Sequence, residues 1–156
     1  MSALDIGVDY LTVHTLGGKK MLEKAVEARQ NSNLKLLGVT ILTSHSQDYL
    51  KFLGINLNLQ DMVLKLAKTA VEIGIDGIVC SPHEVKFLKE KIAKDFIAVV
   101  PGIRPEGLTK DDQQRTATPK EAVLHGADII VIGRPILNAD NKNEAINKII
   151  GDIQTK

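Results

Sequence analysis

Apolar positions along this chain follow two alternating patterns. Five short runs are unbroken: DYLTVH at 9–14, LKLLGVT at 34–40, DGIVC at 76–80, FIAVV at 96–100 and DIIVI at 128–132. None alternates polar with apolar, so each is expected as a strand covered on both faces, as in a parallel sheet. Between the runs the apolar residues recur at three and four. Leu59, Met62, Val63, Leu66, Ala67, Ala70 and Ile73 form one helical face, with Asn58 as its N-cap. Ser81-Pro82-His83-Glu84 reads as a capping box with Pro82 at the first helical position, followed by Val85, Leu88 and Ile92 on one face. Thr118 and Glu121 form a second box, and Gly126 ends that helix. Met21, Leu22, Ala25 and Val26 mark a further helix. Ala145, Ile146, Ile149, Ile150 and Ile153 mark the last.

Strand-helix alternation of this kind predicts right-handed βαβ units in one α/β domain over residues 1–156. No linker, low-complexity tract or heptad array interrupts it. IGVDYLTVH, IGIDGIVCS and HGADIIVIG share a form, glycine then aspartate then apolar strand, which marks a recurring building block rather than a solenoid repeat. Two architectures fit: an open five-stranded, doubly wound parallel sheet, or part of a (β/α)8 barrel, which usually needs about 250 residues. Spacing alone favours the first.

Composition narrows the partners. Lys+Arg 20 against Asp+Glu 19 gives a net charge of +1 over 156 residues, which argues against a nucleic-acid or anionic-membrane partner. Aromatics make up 3% with no Trp, too few for base-stacking platforms. No apolar run approaches the roughly 18 residues of a membrane span, and a single cysteine, Cys80, fits a reducing compartment. The expectation is a soluble, cytoplasmic domain.

Two stretches invite chemistry. PGIRPEGLTKDDQQRTA, residues 101–117, lacks apolar periodicity and exceeds the usual length of a structureless connection. Its two arginines and two glutamines are donors suited to an anion, although a solvated surface loop has the same composition. The buried run at 128–132 ends in Gly133-Arg134. Phosphate sites in barrels commonly use the loops after the last two strands, where glycine admits close backbone approach and arginine offers a bidentate, permanent charge. An arginine snorkelling at a strand end is the plainer account. Cys80 has no base beside it and reads as a buried thiol, and His14, His45, His83 and His125 have no metal-ligand spacing. The lysines of 86–94 read as a solvated helix face.

GVDYLTVHTLGG, GVTILTSHS, GIDGIVCSPHEV, VVPGIRP, DDQQRTATPKEAV and GADIIVIGRPI, in that order, resemble the C-terminal five-eighths of bacterial orotidine 5′-monophosphate decarboxylases. The resemblance implies strands 4–8 of a (β/α)8 TIM barrel, and a family that converts orotidine monophosphate (OMP) to uridine monophosphate (UMP) and CO2. It implies no metal or organic cofactor, and a homodimer with sites near its interface. By the same resemblance Gly133 and Arg134 grip the phosphate together with Arg104 and Gln113, with Gln114 the neighbouring candidate. Thr43 of LTS contacts the nucleotide, and Pro101 shapes the rim.

The family's catalytic signature does not match. That signature resembles a lysine-aspartate array containing Asp-x-Lys-x-x-Asp, whose lysine protonates the ring carbon as CO2 leaves. No such motif occurs here; DNKNEA at 140–145 starts alike but lacks the second aspartate and follows the phosphate motif. No catalytic residue is therefore assigned. Three readings follow: a decarboxylase completed by strands supplied elsewhere, a remnant or nucleotide-binding protein without activity, or another phosphate-binding barrel enzyme. If the first run is strand 4, three βα units are expected before it, with 1–7 the last turn of a helix. Its open edge is then expected to be covered by a homo-oligomer or a separate N-terminal fragment.

Overall fold

The computed structural model describes residues 2–29, 32–105 and 115–154. In chain order the elements are α1 (Ala3–Ile6), β1 (Tyr10–His14), a 3₁₀ turn (Thr15–Gly17), α2 (Lys19–Arg29), β2 (Lys35–Val39), α3 (Gln47–Phe52), α4 (Leu59–Ile73), β3 (Gly77–Val79), α5 (Val85–Lys91), β4 (Ile97–Val100), α6 (Pro119–Leu124), β5 (Ile129–Ile130), α7 (Arg134–Leu137) and α8 (Lys142–Gln154). All five predicted strands form, each within two residues of the boundaries its apolar run suggests.

The strands make one parallel sheet in the order β1-β2-β3-β4-β5. Leu37 pairs with Gly77, Gly77 with Ile97, and Val99 with Ile129. A doubly wound sheet reverses direction at a switch point; this order never does, and right-handed crossovers then put every helix on one face. The first residues of four strands, Tyr10, Lys35, Ile97 and Ile129, line one concavity of about 820 Å³ at the N-terminal end of the sheet. Of the two architectures read from the sequence, the part-barrel therefore holds, as an open five-stranded parallel sheet, and the doubly wound arrangement does not.

The core lies between one face of the sheet and the helices. Leu36, Ile78, Ala98 and Val100 from the strands meet Leu22, Val63, Ala67, Ala70, Val71, Val85 and Leu88 from the helices, and all are buried. Leu37, Val39 and Val99 are buried on other positions of the central strands, which accounts for the lack of polar alternation. At Gly77 an added Cβ would lie 2.7 Å from the Ile97 carbonyl oxygen, so the strands meet there without a side chain.

Capping follows the sequence in most places. Asn58 accepts from the Asp61 N–H at 2.7 Å, and Thr118 and Glu121 complete a reciprocal box around Pro119. Ser2 and Asp5 form another box on α1, and Gly7 closes it in the left-handed region. Two expectations change. α5 begins at Val85 rather than Pro82: Glu84 does accept the Ser81 N–H at 2.9 Å, but residues 82–84 form a turn. α8 buries Ile149 alone of its isoleucine stripe, leaving Ile146 and Ile150 exposed. DNKNEA opens α8, with Asn141 accepting the Glu144 N–H at 3.1 Å.

Candidate functional site

In a parallel sheet with helical crossovers, the loops leaving the C-terminal ends of the strands share one rim, where barrel sites are built. Four of the five candidate residues lie on that rim among the described residues; Gln113 and its neighbour Gln114 lie outside them. Val100 and Ile130 are registered partners on β4 and β5. Arg104 and Arg134 each stand four residues in sequence beyond one member of that pair, on the loops that leave two neighbouring strands. Arg104 is buried and donates through Nη1 to the Ile103 carbonyl at 2.9 Å. Arg134 is exposed and begins α7, and open space surrounds Gly133 on its Cβ side.

Thr43 follows β2, two strands away from β4. It is buried and lines a cavity of about 290 Å³ with Val39, Ile41, Leu42, Ser44, Val79, Cys80 and Pro101. Pro101 brings this apolar cavity to within three residues of Arg104. Arg134 is not among its lining residues. The rim thus carries a mainly apolar recess after β2 and β3 and, on the loops after β4 and β5, two arginines; the recess suits a planar ring and the arginines an anionic group.

The other arginine of the 101–117 stretch does something different. Arg115 donates through Nη2 to the carbonyls of Ile41 at 2.9 Å and Leu42 at 2.8 Å, and through Nη1 to Ser81 Oγ and the Glu84 carboxylate. Both Nη groups are occupied by protein acceptors, and Nε is buried without a partner among the described residues, so the anion-gripping role suggested by composition does not extend to it. Burial lowers its pKa from the usual guanidinium value, against a smaller opposing effect from Cys80. Sequence reasoning missed this network because two of its four acceptors are backbone carbonyls 73 and 74 residues away and the other two are side chains 34 and 31 residues away. Burial pushes the Cys80 thiol up to about 12, with Arg115 and Lys89 opposing weakly, so no thiolate nucleophile stands in the cavity wall.

Among the described residues no three His, Cys, Asp or Glu side chains group as a metal site, and no helix is long and apolar enough to cross a membrane. His125 instead meets the Pro82 carbonyl at 3.2 Å, and His45 stacks on Tyr49 with ring centroids 4.0 Å apart.

A parallel sheet whose strand order follows chain order, with the candidate residues on the loops at the strands' C-terminal ends, defines a protein of the TIM-barrel class. Comparison with known proteins narrows this. Residues 2–149 match the family model of the orotidine 5′-phosphate decarboxylase / HUMPS family, and the chain belongs to that family. The orotidine 5′-phosphate decarboxylase of Aquifex aeolicus is 48% identical over 153 residues, 96% of this chain and 65% of that protein. The one from Geobacter sp. strain M21 is 43% identical over 98% of this chain and 66% of that protein. The crystal structure of the Lactobacillus acidophilus orotidine 5′-phosphate decarboxylase superposes with a TM-score of 0.80 at 40% identity, over 96% of this chain and 65% of that one. The chain thus spans about 65% of the length of the first of these relatives.

Proposed function

We propose that this chain is the nucleotide-gripping part of an orotidine 5′-phosphate decarboxylase, acting in pyrimidine biosynthesis in the cytoplasm. Arg134 takes the phosphate of OMP or UMP in a bidentate contact, helped by the open backbone at Gly133 and by Arg104 from the neighbouring strand. Thr43 holds the pyrimidine end at the apolar cavity, and Gln113 is assigned a phosphate contact by family resemblance. The observation that carries this reading is that Arg104 and Arg134 follow, each by four residues, the two members of the registered Val100–Ile130 pair and so lie on adjacent rim loops.

Decarboxylation is a separate matter. Enzymes reach accelerations of about 10⁶ or more largely through charges placed in advance, and this sequence has no Asp-x-Lys-x-x-Asp. We therefore assign binding to this chain and turnover only to its assembly with a polypeptide carrying the missing array. The edge strand β1, with Tyr10 and Leu11 exposed, favours such a complement or a homo-oligomer. A protein that binds the nucleotide and never turns it over is the second reading, favoured by the same absent motif.

Calorimetric titration of UMP, with Arg134→Ala as control, tests the grip. Saturable binding that the variant loses is expected; affinity unchanged by Arg134→Ala would remove the phosphate assignment. CO2 release from OMP by the purified chain alone would overturn the division between binding and turnover. Release only after adding a polypeptide with the array would decide against the second reading.

A further inference from the structure

We infer that Arg115 is a positioning residue: it locks three rim loops into one body and so sets the affinity of the site without touching the ligand. The inference rests on the nucleotide-binding reading above. Its side chain holds the loop after β2 through the Ile41 and Leu42 carbonyls, and the loop after β3 through Ser81 Oγ and the Glu84 carboxylate. Arg115 itself lies in the third loop, the one after β4. Two residues on, the Ala117 carbonyl accepts the Arg104 N–H at 2.9 Å, and Ile103 and Ala117 form an isolated parallel bridge. Thr43 follows Leu42 directly, so both Thr43 and Arg104 are tied to Arg115 through neighbouring backbone.

The chemistry suits a clamp better than a ligand. A planar guanidinium supplies donors in fixed directions, here spread over four acceptors on two loops, and a lysine cannot reproduce that spread. The Arg115 and Glu84 side chains are only 12% and 8% exposed, so the pair is shielded from competing water and salt. Arg29 and Asp76 form a comparably buried pair at the other end of the sheet, at 19% and 17%, which provides a matched control.

The test compares Arg115→Met, Arg115→Lys and Arg29→Met with the unaltered chain. UMP affinity is measured by calorimetry and amide hydrogen exchange is followed over residues 41–46. Arg115→Met is expected to weaken UMP binding about tenfold or more and to speed exchange in that loop, since small misplacements of a binding group cost this much. Arg115→Lys should keep the fold through Glu84 while binding remains weak. Arg29→Met should lower stability and leave affinity within about twofold, as expected for a distant site. Equal losses of affinity in Arg115→Met and Arg29→Met would reduce Arg115 to a general stabiliser and overturn the inference, as would full affinity in Arg115→Lys. If the unaltered chain binds no UMP, the nucleotide reading fails by itself. The clamp then stands or falls on whether exchange at 41–46 quickens in Arg115→Met and not in Arg29→Met.

Discussion

Asp76 and Asp128 occupy equivalent places in the sheet. Each immediately precedes a strand, accepts the N–H of the second residue of the neighbouring strand, and meets a basic side chain. Asp76 takes Leu36 N–H at 2.9 Å and pairs with Arg29; Asp128 takes Ala98 N–H at 2.7 Å and pairs with Lys89 at 2.9 Å. The repeated glycine-x-aspartate of the sequence is therefore a stitch between adjacent strands at their N-terminal ends, the end of a barrel associated with stability.

Acid should loosen the stitch at Asp128. Partial burial pushes the Asp128 carboxyl upward, but the Ala98 N–H and Lys89 outweigh it and hold its pKa below the ordinary value. A carboxylate with a lowered folded-state pKa stabilises fully above its unfolded value of about 3.9, and that stability disappears as pH falls through the folded value. Melting temperature should thus drop between about pH 5 and 3, and Asp128→Asn should flatten part of that drop while melting lower at neutral pH. A variant curve parallel to the parent's would refute the assignment.

The two rim arginines should separate by stability. Arg134 is exposed, so Arg134→Ala should change folding stability by no more than about 0.5 kcal/mol while weakening UMP by about 1.5–3 kcal/mol. Arg104 is buried, and Arg104→Ala should cost both binding and about 1–3 kcal/mol of stability in urea denaturation. Equal stability costs would contradict the difference in burial.

Two glycines should respond in opposite senses. Gly77→Ala places a methyl 2.6 Å from Leu37 Cδ2 and 2.7 Å from the Ile97 carbonyl oxygen, and should destabilise by about 1–3 kcal/mol. Gly151 lies in α8 with nothing within 4 Å of an added Cβ, so Gly151→Ala should stabilise by about 0.5–1 kcal/mol. Thermal denaturation of both variants checks the pair.

Cys80 should behave as an inert thiol. It is 1% exposed, and burial holds its pKa at about 12. Alkylation of the native chain at pH 8 should be slow and should accelerate to the free-thiol rate in denaturant. Rapid labelling without denaturant would show that the cavity wall opens readily.

Strand positions and the main helix faces were legible because burial on both sides leaves unbroken aliphatic runs, and one-sided burial leaves a three-four period. α3 escaped notice since its apolar residues do not share a buried face: Leu50 is buried and Phe52 is 84% exposed. α7 is a single turn after Gly133, too short to show a period. The start of α5 was misread because the box is only half made: Glu84 accepts the Ser81 N–H, but the Ser81 hydroxyl accepts from Arg115 and the Glu84 N–H goes to the Ser81 carbonyl. Arg104 and Arg134 could be picked out as rim residues by counting from their strands. Arg115 could not, because nothing local distinguishes an arginine aimed at an anion from one aimed at distant carbonyls.

Strand order that follows chain order has a consequence for how the molecule is made. Each strand pairs with the one synthesised just before it, so β2 can settle on β1, and β3 on β2, without waiting for a distant segment. Synthesis runs at about 5–20 residues per second, slow enough for each unit to dock as it emerges. Arg115, which joins the later segment to loops laid down some 73 residues earlier, would then be a late closure, the knot tied after the weaving.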